Sequence, residues 1–217
     1  GDLFLTTKVW IMNAGYEKAK QSIEESLQKL KTDYIDLLLI HQAFNDYYGT
    51  WRAMEDAYKT GKVRAIGVSN FYADRFLDLA LFSEIKPMVN QLETHVFQQH
   101  RNDRSFMEKY GAHIEAWAPF ARGENGIFTN PVLKEIGAKY KKSAGQTALR
   151  FLIQSRIPVI PKSSHKERMA ENLNVFDFQL SAEEMKEIEA LDRGKNIFMN
   201  HEDAAQIESF FAQFKVK

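Results

Sequence analysis

The feature that most constrains the fold is an alternation of short apolar runs with amphipathic stretches. Each apolar run is bounded by polar or turn residues, as is typical of β-strands. The runs cover residues 3–10, 34–40, 65–68, 88–92, 113–118 and 157–160. The sequence therefore predicts six strands.

The stretches between the runs carry apolar residues at helical spacing. These residues are Ala19, Ile23, Leu27 and Leu30; Trp51, Met54 and Tyr58; Phe76, Leu77 and Ala80; Ile136 and Tyr140; and Ala148, Leu149 and Leu152. Strands separated by crossover helices form βαβ units, because a parallel neighbour needs a long return path. The continuous run LLLI suits a strand that is covered on both faces. A parallel α/β sheet is predicted.

Two parallel architectures compete for this pattern. A doubly wound sheet is expected to carry a glycine-rich fingerprint after its first strand, and no G-x-G-x-x-G occurs in the sequence. We therefore predict a TIM barrel, in which the functional residues stand at the carboxyl ends of the strands. The strand ends are TTKVW, LIHQ, GVSNF, VNQLE, EAWAPF and VIPKSS.

The amino-acid composition excludes several classes of function for this protein. Twenty-nine basic residues balance 29 acidic ones, so no global field recruits nucleic acid or a membrane. The absence of cysteine excludes disulfides and thiolate chemistry and fits a cytoplasmic location. The 217 residues fit one domain spanning 1–217, and because Gly1 is followed at once by a strand pattern, we expect a preceding segment.

Polar groups are concentrated after the last predicted strand, in KSSHKER. Lysine, serine and arginine at a strand-to-helix junction suit an anion, because the helix N-terminus adds backbone donors and a favourable dipole. An ordinary solvated helix cap explains the same local pattern. Placement after the last strand of a barrel favours the anion site, since TIM barrels commonly bind phosphate there.

The ordered strand-end motifs together resemble the aldo-keto reductase family, and within it the bacterial 2,5-diketogluconate reductase-like branch. The resemblance covers nearly the whole chain, from LFLTTKVW to NVFDFQL. It implies a (β/α)8 barrel that reduces carbonyls with NADPH and uses no metal. The six predicted strands resemble the family's third to eighth, which would put the first two strands before Gly1.

The family's proton donor is a tyrosine assisted by lysine, histidine and aspartate. The resemblance assigns the lysine to Lys8 and the histidine to His41, and it assigns the tyrosine and aspartate to the preceding segment. None of Tyr16, Tyr34, Tyr47 and Tyr48 matches the donor. Without the neighbouring motifs, Lys8 would be interpreted as an ordinary solvated lysine. His41 would be interpreted as a core histidine whose ring nitrogens form hydrogen bonds within the fold.

The resemblance also implies a cofactor site. The nicotinamide amide would be bound by Ser69, Asn70 and Gln91, whose side chains both donate and accept. Trp117 would stack on the nicotinamide ring, with Pro119 after it, although a core tryptophan is an equal alternative on its own. The adenosine 2′-phosphate clamp would be Lys162, Ser163, Ser164 and Arg168, with Arg122 near the pyrophosphate and Glu171 and Asn172 contacting adenine.

The function predicted is NADPH-dependent reduction of a small aldehyde, ketone or keto-sugar, with Trp10, His41 and Phe44 contacting substrate. The expected partner is that small carbonyl compound, without nucleic acid or membrane, and the expected assembly is a monomer, with a dimer open. Two alternatives stay open. One is a catalytically impaired NADPH-binding barrel, and the other is an unrelated phosphate-binding lyase that uses Lys8 as a Schiff base.

Overall fold

The computed structural model describes residues 3–214, which divide into two compact units. The first unit comprises residues 3–92 and Arg101–Ile114, and the second comprises Glu93–His100 and residues 115–214. No helix in the described range is long and apolar enough to cross a bilayer. The single domain predicted for the whole chain stays a prediction.

Five parallel strands form the sheet, and their order follows the chain, β1-β2-β3-β4-β5. The strands are β1 Thr6–Val9, β2 Leu37–Ile40, β3 Ile66–Ser69, β4 Val89–Glu93 and β5 His113–Trp117. Registered parallel pairing joins Lys8 with Leu39 and Val68 with Asn90. All four residues of β2 are buried, as the continuous apolar run LLLI predicts.

The sixth predicted strand, at residues 157–160, is not formed. Val159 makes only an isolated parallel bridge to Ala116. The run exchanges two backbone hydrogen bonds with Ala116, but Ile160 is 47% exposed and Pro161, which has no N–H group, follows it, so the pairing does not extend. The prediction of a sixth strand is therefore wrong for these residues.

Helices follow the strands in both units. Their bounds are α1 Tyr16–Leu30, α2 Tyr47–Lys59, α3 Ala73–Phe82, α4 Arg101–Glu108, α5 Pro131–Lys139, α6 Ala144–Gln154, α7 Lys166–Leu173, α8 Ala182–Glu189 and α9 Ala204–Ala212. In α1 the buried residues are Ala19, Ile23 and Leu27, which lie on one face at a spacing of four. Side-chain caps fix several starts, including the capping box of Ser143 and Gln146 at α6.

Close strand packing depends on one glycine in β3. A Cβ atom on Gly67 would lie 2.5 Å from the Val89 carbonyl oxygen and 2.8 Å from Leu39 Cδ2. Real side chains do not tolerate such contacts with backbone, so this position requires glycine. Glycine at this position therefore allows β3 to pack closely against Val89 of β4 and Leu39 of β2.

Candidate active site and cofactor site

Five residues predicted from the sequence form one connected network in the first unit. Lys8 lies in β1 and its Nζ donates to Gln91 Oε1 in β4. Ser69 Oγ donates to the Gln91 carbonyl oxygen at 3.0 Å. Asn70 Nδ2 donates to Ser69 Oγ and to the His41 carbonyl oxygen, each at 3.2 Å. The ends of four consecutive strands therefore converge.

The contact between Lys8 and Gln91 shows that the sheet of this unit is strongly curved. β1 and β4 are separated by β2 and β3. In a flat sheet three strand spacings would place the two backbones about 14 Å apart, with the side chains standing parallel to each other. Their contact requires the sheet to curl toward the face that carries these two side chains, as strands do when they form a barrel.

Asn70 has an unusual backbone conformation, with φ of 61°. Asparagine tolerates the left-handed region better than most residues. Its backbone N–H donates to the Gln91 carbonyl oxygen at 3.0 Å, which ties the turn after β3 to β4. The turn thereby presents the Asn70 amide at the strand end, where it meets His41.

His41 is half-buried directly after β2, and its backbone N–H donates to the Val9 carbonyl oxygen at 3.0 Å. Burial, helped by the charge of Lys8, lowers the pKa of His41 to about 4. The imidazole is therefore neutral at pH 7. Its ring meets the edge of Trp10 at a centroid distance of 4.9 Å, which places one predicted substrate residue against another.

Phe44, the third residue predicted to contact substrate, lies in the loop after β2 and is half-buried. The Arg75 guanidinium stands 4.9 Å from the centre of its ring, and Arg75 Nη1 also donates to the Ala43 carbonyl oxygen. This cation–π contact fixes the ring orientation. The substrate role of Phe44 stays a prediction.

In the second unit, Trp117 ends β5 and is half-buried. The ring of Phe198 lies 5.6 Å from it, and the Arg122 guanidinium is 4.3 Å from the Phe198 ring centre and 5.7 Å from that of Trp117. Pro119 is buried and Arg122 is exposed. Trp117 and Arg122, predicted separately from the sequence, thus belong to one aromatic–cation cluster.

A cavity of about 540 Å³ in the second unit brings the predicted phosphate clamp together. Six of its lining residues were predicted to bind cofactor: Lys162, Ser163, Ser164, Arg168, Glu171 and Asn172. A lysine, an arginine and two hydroxyls on one side of a cavity match the chemistry of a phosphate monoester. Pocket sites that hold drug-sized ligands fall in this range of volumes.

The segment before α7 is stabilised by a hydrogen bond between two of its own residues. His165 N–H donates to Ser163 Oγ at 3.1 Å, which forms a tight turn just ahead of the helix. At the start of α6, Ser143 Oγ donates to Glu171 Oε1, and Gln146 Nε2 donates to the Glu171 carbonyl oxygen at 3.2 Å. Glu171, predicted to contact adenine, therefore also fastens α7 to α6.

Sequence reasoning missed the other lining residues of the cavity, which include Phe120, Phe128, Ser143, Ala144 and Gly145. Two phenylalanine rings form one part of this lining, with a centroid distance of 5.3 Å. The start of α6 forms the other part, and its small residues leave room for a ligand. The two phenylalanines begin and end the glycine-bearing stretch FARGENGIF, and this stretch was the sequence feature that could have indicated a binding loop here.

Sequence reasoning also missed the position of His95. The residue is fully buried, with 0% exposure, and its Nε2 lies 3.1 Å from Glu93 Oε1. Within residues 3–214 no group of three or more metal-ligating side chains is present.

The four tyrosines set aside as proton donors have other contacts. Tyr16 donates to Asp56 at 2.7 Å and Tyr47 donates to Asp78 at 3.0 Å. Burial and the hydrogen bond to Asp78 raise the pKa of Tyr48 to about 12, and the Tyr34 ring lies under the Arg64 guanidinium at 3.9 Å. A high phenol pKa opposes proton transfer from Tyr48 at neutral pH.

Comparison with known proteins now decides the family. The model of the Aldo/keto reductase family matches residues 1–193. The chain belongs to the aldo/keto reductase family. It is 42% identical over 203 residues to the glyoxal reductase of Bacillus subtilis (strain 168), covering 93% of this chain and 73% of that relative.

Solved structures agree with this assignment. An aldo-keto reductase named MGS-M4, from a Medee basin deep-sea metagenome library, aligns with a TM-score of 0.90 at 40% identity, over 94% of this chain and 77% of that one. A Bombyx mori aldo-keto reductase in complex with NADP aligns with a TM-score of 0.85 at 36% identity, over 93% and 71%. These matches support the predicted (β/α)8 barrel class.

The branch predicted from the sequence is also confirmed. A structure described as a putative 2,5-diketo-D-gluconic acid reductase B aligns with a TM-score of 0.86 at 35% identity, over 92% of this chain and 74% of that one. As a member of this family, the chain is an oxidoreductase. The relatives named above are reductases, and their names give no support to a catalytically impaired barrel.

Proposed function

We propose that this aldo/keto reductase uses NADPH to reduce the carbonyl group of a small aldehyde, ketone or keto-sugar. The observation that carries the proposal is the second-unit cavity, in which Lys162, Ser163, Ser164 and Arg168 converge. Such a set of donors suits the 2′-phosphate that distinguishes NADPH from NADH. The glyoxal reductase relative and the NADP complex of a family member support the same activity.

The residues of the cavity fit the adenosine end of the cofactor. Lys162 is a point charge and Arg168 a planar fork, and the hydroxyls of Ser163 and Ser164 add donors between them. Phe120 and Phe128 add apolar rings to the lining, and adenine would lie beside Glu171 and Asn172. Arg122 would approach the pyrophosphate by leaving its stacked position on Phe198.

The first unit would bind the nicotinamide amide and the substrate carbonyl. Ser69, Asn70 and Gln91 combine hydroxyl and amide groups that both donate and accept, as the carboxamide requires. The stacking of Trp117 on the nicotinamide ring stays a prediction from the family resemblance. NADPH supplies the hydride.

His41 and Lys8 would act on the substrate. Because His41 is neutral at pH 7, its imidazole can donate one N–H hydrogen bond that orients the carbonyl oxygen without carrying a charge. The ammonium of Lys8 would favour the ionised form of the proton donor and would stabilise negative charge that develops on the carbonyl oxygen. A tyrosine donor stays a prediction from the family resemblance.

We also propose that the five strands correspond to the third to seventh strands of the family's barrel, with the bridge at Val159 marking the eighth. The cytoplasmic location and the monomeric or dimeric state stay predictions. Membership of the aldo/keto reductase family argues against the lyase that would use Lys8 as a Schiff base.

Glyoxal reduction tests the proposal. The purified protein should oxidise NADPH when glyoxal is added, and Lys8→Met should lower kcat by about 10²–10⁴-fold, the range typical of lost acid–base assistance. The matched control is Lys18→Met, an exposed lysine of α1 that should keep wild-type activity. Absence of NADPH oxidation with glyoxal and with a panel of aldehydes and keto-sugars would refute the proposed function.

A further inference from the structure

A buried carboxylate at the end of β4 binds the C-terminal segment of the second unit. Glu93 is 2% exposed, and its Oε1 accepts the Ile197 N–H at 2.6 Å while its Oε2 accepts the Phe198 N–H at 3.3 Å. The bonds span 104 and 105 residues of sequence. A buried carboxylate is costly unless donors surround it, so this pairing specifies where residues 197–198 lie.

His95 supplies the third donor and orients the carboxylate. Its Nδ1 accepts the Phe97 N–H at 3.2 Å, and its Nε2 lies 3.1 Å from Glu93 Oε1. Because a ring nitrogen that accepts carries no proton, the hydrogen of the neutral imidazole must be on Nε2, where it donates to Glu93. The ring therefore fixes the rotamer of the glutamate, as the second partner of a functional side chain commonly does.

Further bonds join the same two segments. Gln98 Nε2 donates to Asn196 Oδ1 at 2.6 Å, the Arg193 N–H donates to the Phe97 carbonyl oxygen at 2.9 Å, and the Gln99 N–H donates to Asp192 Oδ1 at 3.2 Å. Glu93–His100, which we name the β4 loop, thus holds residues 192–198 at several points. Of the bonds named here, the one to Glu93 is the bond that holds the backbone of Phe198 itself.

The side chain of Phe198 connects this anchored segment to Trp117. Its ring lies 5.6 Å from the Trp117 ring at an interplanar angle of 37°. We propose that Glu93, oriented by His95, is a positioning residue that fixes Phe198 against Trp117 and thereby sets the plane of the indole for the cofactor. The inference rests on the proposed function for the role of Trp117, but the anchoring itself does not depend on it.

Two measurements without cofactor test the anchoring. In Glu93→Gln, one of the three donors faces an amide NH₂ instead of an oxygen, so backbone amide exchange at Ile197 and Phe198 should accelerate by about tenfold or more. The NMR signal of the Trp117 indole N–H should shift in Glu93→Gln and in Phe198→Ala. The control Glu187→Gln, an exposed glutamate of α8, should change neither.

Kinetics then test the consequence for the cofactor. Glu93→Gln and Phe198→Ala should each raise KM for NADPH by about three- to tenfold with kcat within about twofold of wild type, because indole stacking is a binding contact. The double variant should be no worse than either single one, since both act through the same ring. Phe198→Tyr, which keeps a ring, should retain the wild-type KM.

The results of these experiments distinguish failure of the positioning role of Glu93 from failure of the proposed reductase function. Unchanged amide exchange in Glu93→Gln, or an unchanged Trp117 signal in both variants, would overturn the positioning role whatever the activity. If Glu93→Gln fails to fold, Phe198→Ala decides, and a wild-type KM in that variant would overturn the role of Phe198. A wild-type protein that shows anchoring but no NADPH oxidation would instead refute the proposed function.

Discussion

The ammonium group of Lys8 donates a hydrogen bond to the side-chain oxygen of Gln91, from the first strand of the sheet to the fourth. This bond joins a residue proposed to act in catalysis with one proposed to bind the nicotinamide amide. The charge of Lys8 also reaches His41, where it adds to the effect of burial on the imidazole. Three side chains from different strands are therefore coupled.

The first prediction concerns the titration of His41. Burial is the larger cause of its low pKa and the Lys8 charge the smaller. NMR should find His41 titrating at about pH 4 in the wild type. Lys8→Met should raise this pKa while leaving it below the ordinary 6.5, because burial persists. A wild-type His41 that titrates near 6.5 would contradict the site described above.

The same shift predicts a pH dependence of stability. Since the unfolded chain binds the His41 proton near pH 6.5 and the folded chain only near 4, this residue lowers the free energy of unfolding as pH falls through that window. His41→Asn should remove this part of the acid sensitivity. Urea unfolding at several pH values measures it, and identical pH profiles for variant and wild type would argue against a neutral buried imidazole.

The second prediction concerns Glu184, a residue of α8 that is 5% exposed and contacts Lys139 of α5. Burial by itself would raise the pKa of this carboxyl, but hydrogen bonds from Tyr140 at 2.6 Å, the Ser181 N–H at 2.8 Å and Lys139 at 3.2 Å lower it below 4.5. Glu184→Gln should lower the free energy of unfolding at pH 7 by about 1–3 kcal/mol, as expected for lost bonds to a charged group.

The stability difference between Glu184→Gln and the wild type should depend on pH. A carboxyl with a lowered folded pKa stabilises the fold above its ordinary pKa, and this contribution is lost as pH falls through the folded value. The difference should therefore shrink below pH 4.5. Glu187→Gln is the control and should stay close to wild type, while a difference that is constant with pH would show that charge is not involved.

The third prediction concerns the wall of the cavity at Gly145. A Cβ atom here would lie 3.3 Å from Phe128 Cε1 and 3.5 Å from Phe120 Cε1. Gly145→Val should fill space where the adenosine end is proposed to bind, so KM for NADPH should rise by about tenfold with little change in kcat. Ala182→Val, an exposed position of α8, controls for the added bulk. An unchanged KM would place the adenosine elsewhere.

Five of the six predicted strands are formed, and the predicted clamp residues line one cavity, because the signals for both are contiguous in sequence. The run LLLI and the motif KSSHKER each contain most of the information needed to place them. The helix α4 could not be predicted in the same way, since Met107 is its only buried residue and an apolar periodicity is absent. Phe106 and Met107 are the two apolar residues of this helix, too few to repeat at helical spacing.

The anchoring role of Glu93 could not be predicted either. Its partners at Ile197 and Phe198 are backbone N–H groups, which carry no sequence signal, and they lie more than 100 residues away. The small residues Ala144 and Gly145 likewise gave no indication of a cavity wall. The partners of long-range hydrogen bonds, and the role of small residues at helix starts, can be identified only once the fold is known.

The measurement that tests the central claim most directly is the ratio of kcat/KM for NADPH to that for NADH. The double variant Lys162→Ala, Arg168→Ala should lower this ratio by about 10–100-fold through loss of NADPH activity, since a hydrogen bond to a charged group is worth about 1.5–3 kcal/mol. Lys166→Ala, on the same helix but outside the cavity lining, should keep the wild-type ratio. An unchanged ratio in the double variant would contradict the account, because the cavity would then not bind the 2′-phosphate.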